Sequence, residues 1–162
     1  MRLSELLRED VVLLGFQAAD PADAITRLVD HLVHAGRIPA ERRQAALDAA
    51  LAREKCHGNG LENGIALPHA RVDFLPDAVA ALAIAPAGVP FQTPDGQPAR
   101  VIALYFIPPK SVATYIRLVA RMARLFSHTA LRDALIVAPT PAEVLALIRR
   151  EEEKDATSLA GT

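Results

Sequence analysis

The sequence has 162 residues, enough for one domain with a substantial core. Hydrophobic residues make up 51% of the chain and aromatic residues only 4%, so Ala, Leu, Val and Ile must supply most of that core. The net charge of −1 provides no basic field for a nucleic-acid backbone, and the single cysteine excludes an internal disulfide framework.

The N-terminal segment carries charged residues among its apolar ones, namely Glu5, Arg8, Glu9 and Asp10. These charges interrupt the apolar core that a signal peptide needs. No later run reaches the apolar length of a membrane span. We therefore expect a cytoplasmic protein that neither inserts into a membrane nor binds nucleic acid.

The first part of the chain predicts a short strand followed by a helix. Residues 3–7 favour a helical turn, and the apolar residues 11–14 favour a buried strand. Asp20 and Pro21 are typical of a helix start, because an acid can cap the first turn and proline fits its first position. Gly36 is typical of the residue that ends a helix.

The middle of the chain contains a second helix and the two longest strand candidates. The helix opens at Pro39 and ends near Arg53, which places a cation at a helix C-terminus. Residues 78–85 are continuously apolar and are followed by three strand breakers: Pro86, Gly88 and Pro90. Residues 100–107 have the strongest strand pattern of the sequence. Together the two strands predict an antiparallel pair joined by a long connection.

The last third of the chain is predicted to be helical. Apolar residues within 112–126 recur at helical spacing and indicate one buried face: Val112, Tyr115, Ile116, Val119, Met122, Ala123 and Phe126. Residues 130–135 predict a short helix, and residues 136–137 a brief strand. Residues 140–143 match a capping box that opens a final helix, and its acidic run at residues 151–153 is expected to be solvated.

Helices before and after a cluster of continuous apolar strands predict a sheet that is covered on both faces. We therefore expect an α/β fold. The folded unit is predicted to span residues 1–155, with residues 156–162 forming a flexible C-terminal tail.

The stretch with the most chemical character is residues 58–71, GNGLENGIALPHAR. Its three glycines permit sharp bends, and successive backbone N–H groups in such a loop can form an anion site. Pro68 favours extended backbone before it, so His69 is displayed at a strand end. Arg71, two residues on, points to the same side as His69. A neutral imidazole is a nucleophile toward phosphorus, and Arg53 and Arg71 are candidate donors to a phosphoryl group.

Each of these residues also has a structural interpretation. His69 could be a histidine hydrogen-bonded beneath a loop, and each arginine a solvated surface cation. A metal trio of Cys56, His57 and His69 is a further alternative with little support. We expect no metal and no cofactor, and we expect Cys56 to be a modestly buried structural cysteine.

The segment ENGIALPHAR, residues 62–71, resembles the histidine loop of enzyme IIA domains of the sugar phosphotransferase system (PTS). The similarity is to the fructose/mannitol class and its nitrogen-regulatory branch. An Arg-Glu pair at residues 53–54, the segment PFQTPDGQP at residues 90–98 and a strand–proline–helix unit at residues 100–126 fit the same pattern. The resemblance covers nearly the whole chain. It implies a three-layer α/β/α sandwich with a central mixed β-sheet, as a single PTS enzyme IIA type 2-like domain over residues 1–155.

The resemblance also implies a function. His69 would accept a phosphoryl group from the phosphocarrier protein HPr through a ring nitrogen, and Arg53 would steady that group. Such a protein is a phosphotransferase component rather than a classical turnover enzyme. In sugar-specific members the group passes to a IIB domain. In the nitrogen-regulatory branch the phosphorylation state controls a target protein, such as a transporter or a sensor kinase.

Two positions depart from the family pattern. Asn59, beside Gly58, stands where the family has Ser or Thr, so it keeps a donor but lacks a hydroxyl. Tyr115 stands where the family's second histidine falls. A tyrosine can donate one hydrogen bond but cannot carry positive charge. The predicted residues that stabilise a phosphoryl group on His69 are Arg53, Arg71, Asn59, Gly60 and Tyr115.

A regulatory carrier is the favoured hypothesis, because Tyr115 replaces the second histidine and no IIB-like or membrane segment accompanies the domain in this sequence. Two alternatives remain open within the same fold. One is a degenerate, non-phosphorylated interaction module, and the other is a sugar-specific IIA subunit that passes phosphate to a IIB domain. A metal-dependent hydrolase using His57 and His69 is a third.

Overall fold

A mixed β-sheet built around one long strand forms the centre of the computed structural model, which describes residues 1–161. Within these residues the sheet has six strands: β1 (Val12–Leu13), β2 (Gly60–Leu61), β3 (Ile65–Ala66), β4 (His69–Arg71), β5 (Val79–Val89) and β6 (Ala99–Ile107). β6 pairs antiparallel with β5 and parallel with both β3 and β4. β1 is parallel to β5, and β2 is antiparallel to β3. The predicted mixed sheet is confirmed.

Helices cover both sides of this sheet. They are α1 (Leu3–Leu6), α2 (Pro21–His34), α3 (Arg43–Cys56), α4 (Val112–Ser127), α5 (Thr129–Val137) and α6 (Pro141–Ala160). α2 packs on α3, while α5 packs on both α4 and α6. The three-layer α/β/α sandwich expected from the sequence is therefore confirmed. Among residues 1–161, none of the helices is both long enough and apolar enough to cross a membrane.

The helix starts largely follow the local chemistry of the sequence. The Asp20 carboxylate accepts a hydrogen bond from the Asp23 amide at 2.8 Å, and Pro21 is the first residue of α2. The Thr140 hydroxyl likewise accepts from the Glu143 amide at 3.1 Å at the start of α6. The start predicted at Pro39 is wrong by one turn, because residues 40–42 form a 3₁₀ turn before α3 begins.

The antiparallel pair of β5 and β6 is confirmed, but the predicted break after residue 85 is wrong. β5 continues through Pro86 and Gly88 to Val89, and the pairing register with β6 shifts between Ile84 and Val89. An irregularity of this kind tolerates proline because the ladder is already interrupted there. Gly88 has φ of 81° and lies against Pro98, so the chain bends without ending the strand.

Of the expectations for the C-terminal helices, the brief strand is wrong and the buried face of α4 is right only in part. Residues 136–137 belong to α5 and form no strand. In α4 the buried residues are Leu118, Met122, Leu125 and Phe126, whereas Ile116 is 60% exposed and Val112 39% exposed. Of the other predicted face residues, Tyr115, Val119 and Ala123 pack against the core, so the expectation is wrong for Val112 and Ile116 alone.

The acidic run in α6 is not uniformly solvated as expected. Glu152 is buried and accepts hydrogen bonds from the Leu3 amide at 2.7 Å and from the Ser4 hydroxyl at 2.5 Å. This carboxylate therefore ties the first helix to the last one. α6 itself continues to Ala160, so most of the predicted tail at residues 156–162 is helical; Thr162 lies outside the described residues, and the flexibility of the segment stays a prediction.

Candidate functional site

The glycine-rich loop is shaped by close backbone packing. Asn63 and Gly64 both have positive φ, 66° and 75°, and form the turn between β2 and β3. A Cβ atom on Gly60 would lie 2.2 Å from the Gln92 carbonyl oxygen, so only glycine fits that position without a backbone shift. The loop then returns through Pro68 into β4, whose first residue is His69.

His69 is held by a hydrogen bond that fixes the tautomer of its ring. Its Nδ1 lies 2.8 Å from the Leu67 carbonyl oxygen, and because a carbonyl can only accept, Nδ1 must carry the proton. In the neutral ring Nε2 then has the free lone pair. The Tyr115 hydroxyl lies 2.7 Å from Nε2 and donates to it. Nε2 is therefore the ring nitrogen whose lone pair could act as a nucleophile, and it is capped by a tyrosine.

The surroundings of His69 favour its neutral form. The side chain is buried, at 8% exposure, and this burial is the main cause that lowers the pKa of His69 below its ordinary value of 6.5. The positive charges of Arg53 and Arg71 lower the pKa further, whereas the hydrogen bond to Leu67 acts in the opposite direction. A neutral ring keeps the Nε2 lone pair available at pH 7.

A cleft of about 300 Å³ opens at His69. Three predicted site residues line it with His69: Arg53, Arg71 and Tyr115. The Arg53 guanidinium donates to the His57 carbonyl oxygen at 2.7 Å, at the C-terminal end of α3. The Arg71 guanidinium lies over the Tyr115 ring, 5.4 Å from its centroid, a cation–π arrangement. The cleft thus combines a neutral nucleophile with two fixed positive charges, which suits an anionic group.

Tyr105 is a site residue that the sequence analysis did not identify. It pairs with His69 in the parallel register of β4 and β6, and its ring stacks on the imidazole with centroids 5.1 Å apart and planes 13° apart. The side chain is completely buried, and its hydroxyl has no hydrogen-bond partner within residues 1–161. A tyrosine inside an apolar strand looks like a core residue in the sequence, and only the strand register reveals its place beneath the histidine.

The family model for the phosphoenolpyruvate-dependent sugar phosphotransferase system, EIIA 2, matches residues 5–151. The chain belongs to this PTS EIIA type 2 family. The predicted family membership is thereby confirmed, and the histidine loop with its cleft lies within the matched region.

Curated relatives of this EIIA domain fall into both branches of the family. The chain is 29% identical to a fructose-specific EIIA component of Haloferax volcanii, over 84% of this chain and 87% of that one. It is 28% identical to a nitrogen regulatory protein of Pseudomonas aeruginosa, over 74% of this chain and 79% of the relative. It is 26% identical to the fructose-specific EIIABC component of Bacillus subtilis, where it spans 94% of this chain but only 24% of that longer protein.

Solved structures share the EIIA fold. The nitrogen regulatory protein IIA-Ntr of Neisseria meningitidis superposes with a TM-score of 0.82 at 23% identity, covering 90% of this chain and 98% of that one. The Escherichia coli mannitol enzyme IIA, solved in complex with phosphorylated mannitol enzyme IIB, has a TM-score of 0.75 at 23% identity, covering 88% and 96%. At these identities the similarity concerns the fold alone.

Two predicted phosphoryl-stabilising residues of the EIIA domain lie off the cleft. Asn59 is buried, and both its backbone N–H and its side-chain amide donate to the Glu54 carboxylate. Gly60 lies in β2 against the Gln92 backbone. Neither lines the cleft, so these contacts support a structural role for both residues, and their part in phosphoryl binding stays a prediction.

The alternative metal trio is not assembled. Within residues 1–161 the only three metal-ligating side chains close enough to share an ion are His128, Glu151 and Asp155, and these lie outside the cleft. Cys56 is exposed at the end of α3, so the expectation of a modestly buried cysteine is wrong.

Proposed function

We propose that this EIIA domain carries a phosphoryl group on Nε2 of His69, accepts it from an HPr-type phosphocarrier protein, and signals through its phosphorylation state. The observation that carries the proposal is the arrangement at the imidazole. One nitrogen is committed to a backbone carbonyl, while the other accepts a hydrogen bond from Tyr115, which lines a cleft together with Arg53 and Arg71. Family membership supports the reaction class, and this geometry supports Nε2 as the acceptor atom.

The transfer needs only groups that this cleft provides and a phosphorylated donor. The Nε2 lone pair attacks phosphorus, the bond from phosphorus to the donor atom breaks, and that electron pair leaves with the donor. The ring retains its Nδ1 proton, so positive charge develops on the imidazole as the new P–N bond forms. The Leu67 carbonyl oxygen, 2.8 Å from Nδ1, stabilises that charge. Arg53 and Arg71 then face the negative oxygens of the phosphoryl group.

Tyr115 must move before this step can occur. Its hydroxyl lies 2.7 Å from Nε2, in the space that phosphorus has to enter. Rotation of this side chain opens the nitrogen, and the same hydroxyl can then donate to a phosphoryl oxygen. Because a tyrosine side chain cannot carry positive charge, the phosphorylated site relies on the two arginines for it.

The regulatory form of the proposal rests on Tyr115 and on the relatives named nitrogen regulatory protein. The target would be a transporter or a sensor kinase. A sugar-specific role is the second candidate, favoured by the relatives named fructose-specific EIIA component. In that role the next acceptor is a IIB domain, as the mannitol IIA–IIB complex illustrates for its own proteins. Labelled protein that passes its phosphoryl group to a IIB domain would favour this second candidate.

Incubation with phosphorylated HPr, followed by mass spectrometry, tests the proposal. Wild type is expected to gain one acid-labile phosphoryl group, and His69→Ala is expected to gain none. His57→Ala is the matched control, because His57 is an exposed histidine in the adjoining loop and should leave labelling intact. An unlabelled wild-type protein would contradict the carrier and favour the non-phosphorylated interaction module.

Tyr115→His adds a side chain that can become cationic, and we expect it to accept the group at least as well as wild type.

A further inference from the structure

Tyr105 carries a hydroxyl that the folded protein leaves unsatisfied. Its side chain is completely buried, and within the described residues the hydroxyl neither donates nor accepts a hydrogen bond. Such a group has lost its hydrogen bonds to water without gaining others, which destabilises the fold. A phenylalanine would pack on β6 without this cost. Packing alone therefore does not explain why this position holds a tyrosine.

The position of this hydroxyl relates it to the cleft. The Tyr105 ring stacks on the His69 imidazole, and its centroid lies 6.4 Å from that of the Tyr115 ring, whose hydroxyl caps Nε2. Burial is the main cause that raises the pKa of Tyr105, Tyr115 raises it further and the Arg53 charge lowers it, so the hydroxyl stays protonated and is able to donate at neutral pH. The Tyr105 ring therefore lies directly against the imidazole and close to the tyrosine that caps Nε2.

We propose that Tyr105 is a phosphoryl-binding residue, whose buried hydroxyl donates a hydrogen bond to a phosphoryl oxygen on His69 once Tyr115 has left Nε2. The inference rests on the proposed carrier function and adds a donor to it. In the unphosphorylated state the Tyr115 ring covers the site and Tyr105 has no acceptor. Phosphorylation displaces the Tyr115 hydroxyl and introduces three acceptor oxygens beside the stacked rings.

This arrangement gives the two tyrosines different roles. Tyr115 belongs to α4, is partly exposed, and can rotate outward. Tyr105 is held in the middle of the sheet by β4 and β5 on its two sides, so it stays in place. A fixed donor costs little reorganisation when the charged group arrives, which is the general advantage of a preorganised site.

Tyr105→Phe tests the inference because it keeps the stacked ring and removes only the hydroxyl. The unphosphorylated variant is expected to unfold at a temperature equal to or above that of wild type, since an unsatisfied buried group is gone. Its phosphohistidine is expected to hydrolyse roughly tenfold faster, the loss typical of one hydrogen bond to a charged acceptor. A purely structural role for the hydroxyl would not give these opposite effects.

Phe106→Leu is the control for altered packing. Phe106 is the next residue of β6 and is equally buried, so this variant should lower stability and leave the phosphohistidine lifetime unchanged. A lifetime that followed stability across both variants would overturn the inference. So would a wild-type lifetime in Tyr105→Phe.

The labelling is done with phosphoramidate as well as with phosphorylated HPr, which separates the two proposals. Absence of phosphohistidine from wild type with either donor contradicts the carrier function. Phosphohistidine that forms normally but lives equally long in Tyr105→Phe contradicts only the role of Tyr105.

A second measurement needs no variant of Tyr105. In protein labelled with ¹³C at the tyrosine Cζ atoms, the resonances of both tyrosines should shift on phosphorylation. The Tyr115→Phe variant assigns each resonance to its residue. An unmoved Tyr105 resonance would also overturn the inference.

Discussion

At the scale of single residues, the site depends on which nitrogen of His69 is free. The Leu67 carbonyl fixes the proton on Nδ1, and Nε2 accepts a hydrogen bond from Tyr115, which lines a small cleft together with Arg53 and Arg71. The same positive charges that would hold a phosphoryl group also disfavour protonation of the ring. In the proposed function, one set of contacts would keep the nucleophile neutral before transfer and stabilise the anion after it.

The titration of His69 is the prediction that belongs to this scale. Burial and the two arginines should place its pKa below 6.5, so the ring stays neutral as the pH falls to that value. The lowered pKa also makes the stability of the fold depend on pH. The unfolded chain binds this proton at a higher pH than the folded protein does, so the contribution of His69 to stability is complete above pH 6.5 and is lost as the pH falls below it.

An NMR titration of the His69 ring proton measures this pKa directly. Arg71→Gln removes one of the charges and should raise the pKa, but burial is the larger cause, so the value is expected to remain below 6.5. A wild-type midpoint above 6.5 would show that the ring is charged near neutral pH, and the nucleophile argument would then fail.

At the scale of elements, the loop before β4 is positioned by backbone contacts as much as by side chains. The Gly64 carbonyl oxygen accepts hydrogen bonds from the amides of Arg100 and Val101, at 2.8 and 3.0 Å, which attaches the loop to the start of β6. Gly60 packs directly against the backbone at Gln92. These contacts hold the short strands that carry the chain to His69.

Gly60→Ala is therefore expected to destabilise the fold by about 1–3 kcal/mol, because the new Cβ meets backbone that must shift. Gly58→Ala is the matched control in the same loop. There the Cβ would meet only the flexible Glu54 side chain at 4.0 Å, and the change in unfolding free energy should stay within about 0.5 kcal/mol. Urea denaturation of both variants gives the comparison, and equal stabilities would show that β2 moves freely away from Gln92.

At the scale of the whole molecule, the order and type of the longer elements could be predicted from the sequence because they depend on local chemistry. Asp20 with Pro21 started a helix, and the continuous apolar runs gave the β5–β6 pair. Features that depend on distant partners could not be predicted. The length of β5 beyond Pro86, the burial of Glu152 against α1 and the stacking of Tyr105 under His69 all arise from pairing between separate segments.

The candidate site, too, could be predicted from the sequence only in part. His69, Arg71 and Arg53 were identified from a short loop and the end of a helix, and the structure brings all three to one cleft. Tyr115 was placed by the family pattern, yet only the structure shows its hydroxyl on Nε2. Asn59 was included as a donor at the family's Ser or Thr position and Gly60 for its place in the glycine loop, but their contacts are with Glu54 and Gln92.

The exposed start of α4 leads to a prediction about how a phosphocarrier docks. Ile116 is 60% exposed and follows Tyr115 directly, and Val112 is exposed one turn earlier. A donor that delivers a phosphoryl group into the cleft must approach this rim, and burial of apolar side chains there would favour its binding. Ile116→Asp is expected to slow phosphorylation by HPr at least about tenfold, because a buried unpaired charge opposes association.

The same variant should react with phosphoramidate at the wild-type rate, because that small donor needs no docking surface and Ile116 does not line the cleft. Val137→Asp serves as the control, since Val137 is even more exposed, at 78%, but lies on α5. Rates with both donors, followed by mass spectrometry, separate docking from chemistry. If Val137→Asp slowed the HPr reaction as much as Ile116→Asp, the docking surface would have to extend to α5; if neither did, the apolar rim would play no part in recognition.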